Sequence, residues 1–191
     1  MTTRDFALDQ DVYLPGRWYL GSPVDGRGQD AGGWLFTQGR PASVEEPLRV
    51  ALSRPGNALD FSLADAGAVP VVHPRVAAVF EELAPGDVQT YPIEVEGQPE
   101  PYVLVNVIRR MDCIDDQASK RVVRWVPADE NDQPERAGEY RNVVGMRIDT
   151  SRVGAARVFR PWEWTLALVV AEDIKDALER TGATGMTFTE V

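Results

Sequence analysis

The chain has 191 residues, 43% of them hydrophobic, which is enough for one cored domain, and no run approaches the roughly 20 apolar residues needed to cross a bilayer. Its net charge of −10, from 30 acidic against 20 basic residues, argues against direct nucleic-acid binding, which needs clustered Lys and Arg. The single cysteine, Cys113, excludes an internal disulfide framework and a multi-cysteine zinc site. Residues 1–10 lack the basic-then-apolar pattern of a secretory signal, so the expected compartment is the cytoplasm.

Residues 1–40 are rich in Gly, Asp and aromatics. Gly16–Gly21 reads as a short strand between turns, and Trp34-Leu35-Phe36 as another. Gly26–Gly33 carries four glycines but neither a Gly-x-Gly-x-x-Gly nor a Walker lysine, so it reads as a flexible loop rather than a phosphate cradle. Strands are predicted at Leu48–Leu52, Asn57–Leu63 and Val69–Val72, with Asp65-Ala66-Gly67 as a turn. His73-Pro74 then opens a helix, because proline at the first helical position removes an N–H that would be unpaired there anyway. Val76, Phe80 and Leu83 line one face of that helix, and Pro85-Gly86-Asp87 ends it.

Val88–Val95 and the β-branched run Tyr102–Ile108 read as strands, the second of them central. Val122–Val126 is a further strand candidate, and Asp129–Tyr140 an exposed polar loop whose length marks it as functional or mobile. Val143–Asp149 is an apolar-rich run, Val158–Arg160 is short, and Leu166–Val170 is apolar again. The clearest helix is Ala171–Thr181. Ile174, Ala177, Leu178 and Thr181 share one face, Glu172 and Asp173 suit its positive end, and Gly182 supplies a left-handed cap. Gly185–Val191 closes the chain as a strand. The predicted class is α+β: a mixed, mostly antiparallel sheet, two main helices and an irregular Gly/Pro-rich N-terminal lobe. The expected division is a β-rich lobe at 1–70 and an α+β unit at 71–191, either separate or continuous.

Few residues suggest chemistry. Asp112, Asp115 and Asp116 form the densest carboxylate cluster, suited to a hard cation or to an exposed acidic turn. The run lacks the Ca²⁺-loop spacing, so no metal is assigned. Cys113 as a nucleophile would need a nearby cation, helix terminus or histidine, and it reads better as a small buried hydrophobe. His73, the only histidine, could act as a base but stands where a helix cap is needed. Trp162-Glu163-Trp164, between two strands, is either a lid over the core edge or an interface anchor. No catalytic constellation is found, and no cofactor is expected.

Two stretches carry a resemblance. One is Tyr102–Ser119, a strand running into Asp112-Cys113-Ile114-Asp115 and Ser119. The other is Val144–Val191, with Ile148-Asp149, Val158-Phe159-Arg160, Leu166–Val170, Ala171-Glu172, Lys175-Asp176-Ala177-Leu178 and Thr184-Gly185 in order; His73-Pro74 and its helix fit as well. Over residues 70–191 the chain resembles the immunity-protein family of bacterial polymorphic toxin systems, long catalogued as a bacterial domain of unknown function. It departs from that pattern at Arg160–Trp164, where the family has a shorter, more aliphatic connection, and in residues 1–40.

The resemblance implies a cytoplasmic, non-enzymatic protein that neutralises one cognate toxin by stoichiometric occlusion. The acidic charge would steer it to a basic partner. Exposed, chemically suitable contact positions are Asp115, Asp116, Trp162, Glu163, Trp164 and the Asp129–Tyr140 loop. Two alternatives stay open: a metal-assisted hydrolase or transferase using Asp112, Asp115 and Asp116 with His73, and a scaffold or secretion-associated adaptor.

Overall fold

A computed structural model describes residues 4–126 and 136–191. In chain order its elements begin with β1 (Asp5–Gln10), β2 (Tyr19–Val24), the one-turn α1 (Gly33–Phe36), β3 (Leu48–Arg54), β4 (Phe61–Ala64) and β5 (Val69–Val72). Helix α2 (Pro74–Leu83) leads to β6 (Val88–Val95), β7 (Tyr102–Val107), β8 (Arg110–Met111), β9 (Arg121–Arg124) and β10 (Tyr140–Val144). The chain closes with β11 (Val158–Pro161), β12 (Val169–Ala171), α3 (Glu172–Arg180) and β13 (Met186–Glu190). The fold is α+β and mostly antiparallel.

Six strands pair in the order β2-β3-β6-β7-β5-β4, five in the order β13-β1-β12-β11-β8, and β9 pairs with β10. Only β3–β6 and β8–β11 are parallel among the described pairs. Strands from both sides of residue 70 meet in each large sheet: β1 sits between β12 and β13, and β3 beside β6.

The six-stranded sheet is apolar on both faces because β7 alternates toward two cores. Val105 and Val107 face a cluster with Phe61, Val72, Phe80, Val158, Ile174 and Leu178, which the two long helices cover. Tyr102 and Leu104 face a second cluster with Trp18, Phe36, Leu48, Val50 and Val69. At about 25 cal/mol per Å² of buried apolar surface, each large side chain here contributes roughly 1.5–3 kcal/mol. Trp18 is fully buried and donates its indole N–H to Ser62 Oγ at 2.7 Å, so its polar edge is satisfied inside the core.

Helix α2 starts as the sequence predicts. His73 is the cap, its Nδ1 accepting from the Arg75 N–H at 3.2 Å, and Val76, Ala77 and Phe80 face inward. In α3 the buried positions are Ile174 and Leu178, and Gly182 takes φ +64° just beyond it. The two large sheets are stitched together at Thr184. Its carbonyl accepts from the Phe61 N–H at 3.0 Å, while its own N–H and Oγ1–H donate to Asp60 Oδ2 at 2.8 and 2.9 Å.

Several local expectations need correction. Trp34-Leu35-Phe36 is helical, because Phe36 reaches the core while Trp34 turns out to solvent. Residues 5–10 form a central strand whose partners come from the far end of the chain, so their own sequence carries little sign of it. The strands near Asn57–Leu63 and Val122–Val126 are displaced to Phe61–Ala64 and Arg121–Arg124. The Val143–Asp149 run is strand only to Val144, and Ile148 makes an isolated bridge to Ile114. Of the Asp129–Tyr140 loop, residues 129–135 lie outside the described residues.

Candidate binding site

The parallel pairing of β8 with β11 aligns Arg110 with Arg160 and Met111 with Pro161, which sets Arg110 beside Trp162. The Arg110 guanidinium lies 3.6 Å from the centre of the Trp162 ring, and the Trp162 indole N–H donates to Glu163 Oε1 at 3.0 Å. Glu163 Oε2 in turn stands 3.4 Å from Arg124. Arg124 grips Asp116 Oδ2 with two donors, at 2.9 and 3.2 Å, and stacks 4.0 Å over Tyr140. Tyr140 Oη–H donates to Asp116 Oδ1 at 2.7 Å. One chain of contacts thus runs from Arg110 through Trp162, Glu163 and Arg124 to Asp116.

Two surface clefts flank this ridge, with Glu163 in the wall of both. The first, about 550 Å³, is lined by Asp112, Asp116, Arg124, Tyr140 and Arg152 among others. The second, about 460 Å³, is lined by Trp34, Arg110, Arg136, Glu139 and Trp162 among others. Burial opposes ionisation of Asp116, but the Tyr140 hydroxyl and Arg124 outweigh it and hold the carboxyl below its ordinary range. Burial pushes the Tyr140 phenol up, and its bond to Asp116 adds to that. Asp116 is therefore ionised, and Tyr140 protonated, throughout the neutral range.

The acidic run is not a bare carboxylate cluster. Asp112 pairs with Arg152 at 2.6 Å. Asp115 Oδ1 accepts from the N–H groups of Gln117 and Ala118 at 2.9 and 3.0 Å, building the turn that presents Asp116. Among the described residues, no three His, Cys, Asp or Glu side chains converge as a metal would need. Cys113 is 1% exposed, and burial pushes its thiol up to about 12, where it is protonated and unreactive at neutral pH. His73 is engaged as the α2 cap and packs edge-on against Tyr102.

Three of the five expected contact residues, Asp116, Trp162 and Glu163, come together on this ridge, and Asp115 builds the turn beside it. Trp164 lines neither cleft. It is half-buried, and its N–H and carbonyl close the β11–β12 connection with Pro161 and Ala167. Below that connection lies Arg160, fully buried, which donates to Thr165 O at 2.6 Å and Ala68 O at 2.9 Å. It fastens the base of the loop to the β4–β5 turn. Sequence reasoning missed Arg110, Arg124 and Trp34 as site residues, and had Tyr140 only as the end of the Asp129–Tyr140 loop. Only the Arg109-Arg110 pair could have hinted at any of them.

A rigid sheet edge bearing exposed tryptophan, stacked arginines and paired carboxylates has the chemistry of a recognition surface, since Trp, Tyr and Arg dominate the energetics of protein interfaces. The family comparison gives that surface its context: the immunity protein family Imm11 matches residues 9–191, and the chain belongs to it. The match reaches back through β2–β5, well before the residue-70 limit of the resemblance, in keeping with the two sheets that these strands share with the rest. No curated protein matches the chain.

Proposed function

We propose that this immunity protein neutralises its cognate toxin by binding it one to one and occluding its active site or entry cleft. The observation that carries this reading is the linkage of Asp116, Glu163 and Trp162 through Arg124 and Arg110 into one exposed ridge, on a chain of an immunity family. Trp162 and the two arginines are the anchors, and Asp115 and Trp164 hold the turn and the loop that present them. The net charge of −10 favours a basic toxin, and the site of action is the cytoplasm.

The metal-assisted alternative is not favoured, because Asp112 and Asp116 each face an arginine, Asp115 caps a turn, and His73 belongs to a helix start. The test is co-expression with the gene beside its own, scoring growth and co-purification. Rescue with a stable one-to-one complex is expected. Rescue without a complex would mean that the protein acts as a catalyst on the toxin or its damage, and no rescue would remove that pair.

A further inference from the structure

The cleft between Trp34 and Trp162 differs from the rest of this acidic molecule. Trp34 is 73% exposed on a one-turn helix, and Trp162 is 41% exposed across from it. Both carboxylates in the cleft wall are engaged: Glu139 with Arg136 at 2.8 Å, and Glu163 with the Trp162 indole and Arg124. Arg110, exposed in the same cleft wall as the two tryptophans, has a guanidinium with neither a hydrogen bond nor an ion pair to any described residue.

Its position is nonetheless fixed. The guanidinium is stacked on Trp162, and a Cβ on Gly39 would stand 2.8 Å from Arg110 Cβ, so the 39–40 segment lies directly against it. That segment is tied down by Asn106, whose Nδ2 donates to Arg40 O at 3.1 Å. Desolvation, and then the neighbouring Arg40, lower the Arg110 pKa from the ordinary arginine value, which marks an unmatched pair of positive charges. Arg40 has no carboxylate partner among the described residues either.

A guanidinium stacked through its face keeps its N–H donors free in the ring plane, where they form a fork matched to a carboxylate. Trp162 covers one face of the guanidinium, and a partner seated in the cleft would displace water from the other side, which strengthens a charge-assisted bond. We infer that the Trp34–Trp162 cleft receives an acidic side chain from a segment of the toxin, its carboxylate held bidentately by Arg110. The inference rests on the reading of the chain as a toxin-binding inhibitor. It gives the interface two opposite signs: a broadly acidic surface for a basic toxin, and one cationic notch for an acidic anchor.

The experiment is titration calorimetry of the intact protein against the inactivated toxin encoded beside it. Arg110→Gln should weaken binding about tenfold or more, chiefly through faster dissociation, and Arg110→Lys should fail to restore it because an ammonium cannot fork. Trp34→Ala should also cost about tenfold. Both side chains are exposed, so melting curves should match the wild type. In a double-mutant cycle, one Asp or Glu of the toxin should lose its effect once Arg110 is Gln.

If the wild type binds tightly and Arg110→Gln or Trp34→Ala binds equally well, the notch is not an anchor and the inhibitor reading stands. Coupling of Arg110 only to apolar or basic toxin residues would equally overturn the carboxylate assignment. Failure of the wild type to bind would overturn both readings.

Discussion

Two buried charges set the limits of what single residues do here. Arg160 lies in the core with no carboxylate partner among the described residues; burial lowers its pKa to about 10, so it stays charged at neutral pH, and two carbonyls accept from it. Asp5 has no side-chain partner among the described residues. It is 4% exposed, and desolvation raises its carboxyl from 3.8 to about 6. The folded chain therefore binds that proton more tightly than the unfolded one. The stabilisation is complete below the ordinary carboxylate range and is lost as pH rises through about 6. Asp5→Asn is expected to stabilise the protein at pH 7 by on the order of 2 kcal/mol and to change little below about pH 4. Thermal melts of both forms across that range decide it, and a pH-independent difference would show that Asp5 does not titrate. The same scale explains why the site was only half legible. Trp162, Glu163 and Asp116 announce themselves as exposed residue types, but Arg124 joins the ridge only because it meets Asp116 eight residues away and Glu163 thirty-nine residues away.

At the level of elements, legibility followed locality. Helices α2 and α3 were readable because caps, proline, glycine and the 3.6-residue period all lie within a dozen residues of one another. Strand β1 was not, since its alternation is short and its pairing is with β12 and β13. Helix α1 is one turn in which a core contact by Phe36 outweighs the strand preference of its aromatics. Glycines at the last turn divide the same way. Gly182, at φ +64° with open space around it, needs only a left-handed backbone, so Gly182→Ala should cost about 1 kcal/mol. A Cβ on Gly185, at φ +97°, would fall 2.3 Å from the backbone carbonyl of Phe61, at the stitch between the two sheets. Gly185→Ala is expected to cost more than 3 kcal/mol, since strain and a backbone displacement add. Denaturant titration of the two variants measures both, and equal costs would mean that the sheets part there without penalty.

For the molecule as a whole, under the proposed function, the charge of −10 acts on encounter rather than on the grip. Neutralising two carboxylates that border the clefts, Asp112→Asn with Glu139→Gln, should slow association with the toxin several-fold at low salt and leave dissociation nearly unchanged. Stopped-flow measurements over a range of ionic strength test this, and unchanged association at low salt would remove the steering argument. The order of strands adds a consequence for the living cell. Strand β1 precedes the other described strands in the chain, yet its slot in the five-stranded sheet is bounded by β12 and β13, which follow all the rest. Until β13 appears, β1 has no outer neighbour and the sheet seam at Thr184 cannot close. A polypeptide that stops short of β13 is left with β1 as an open sheet edge, exposed to proteolysis and to pairing with other chains.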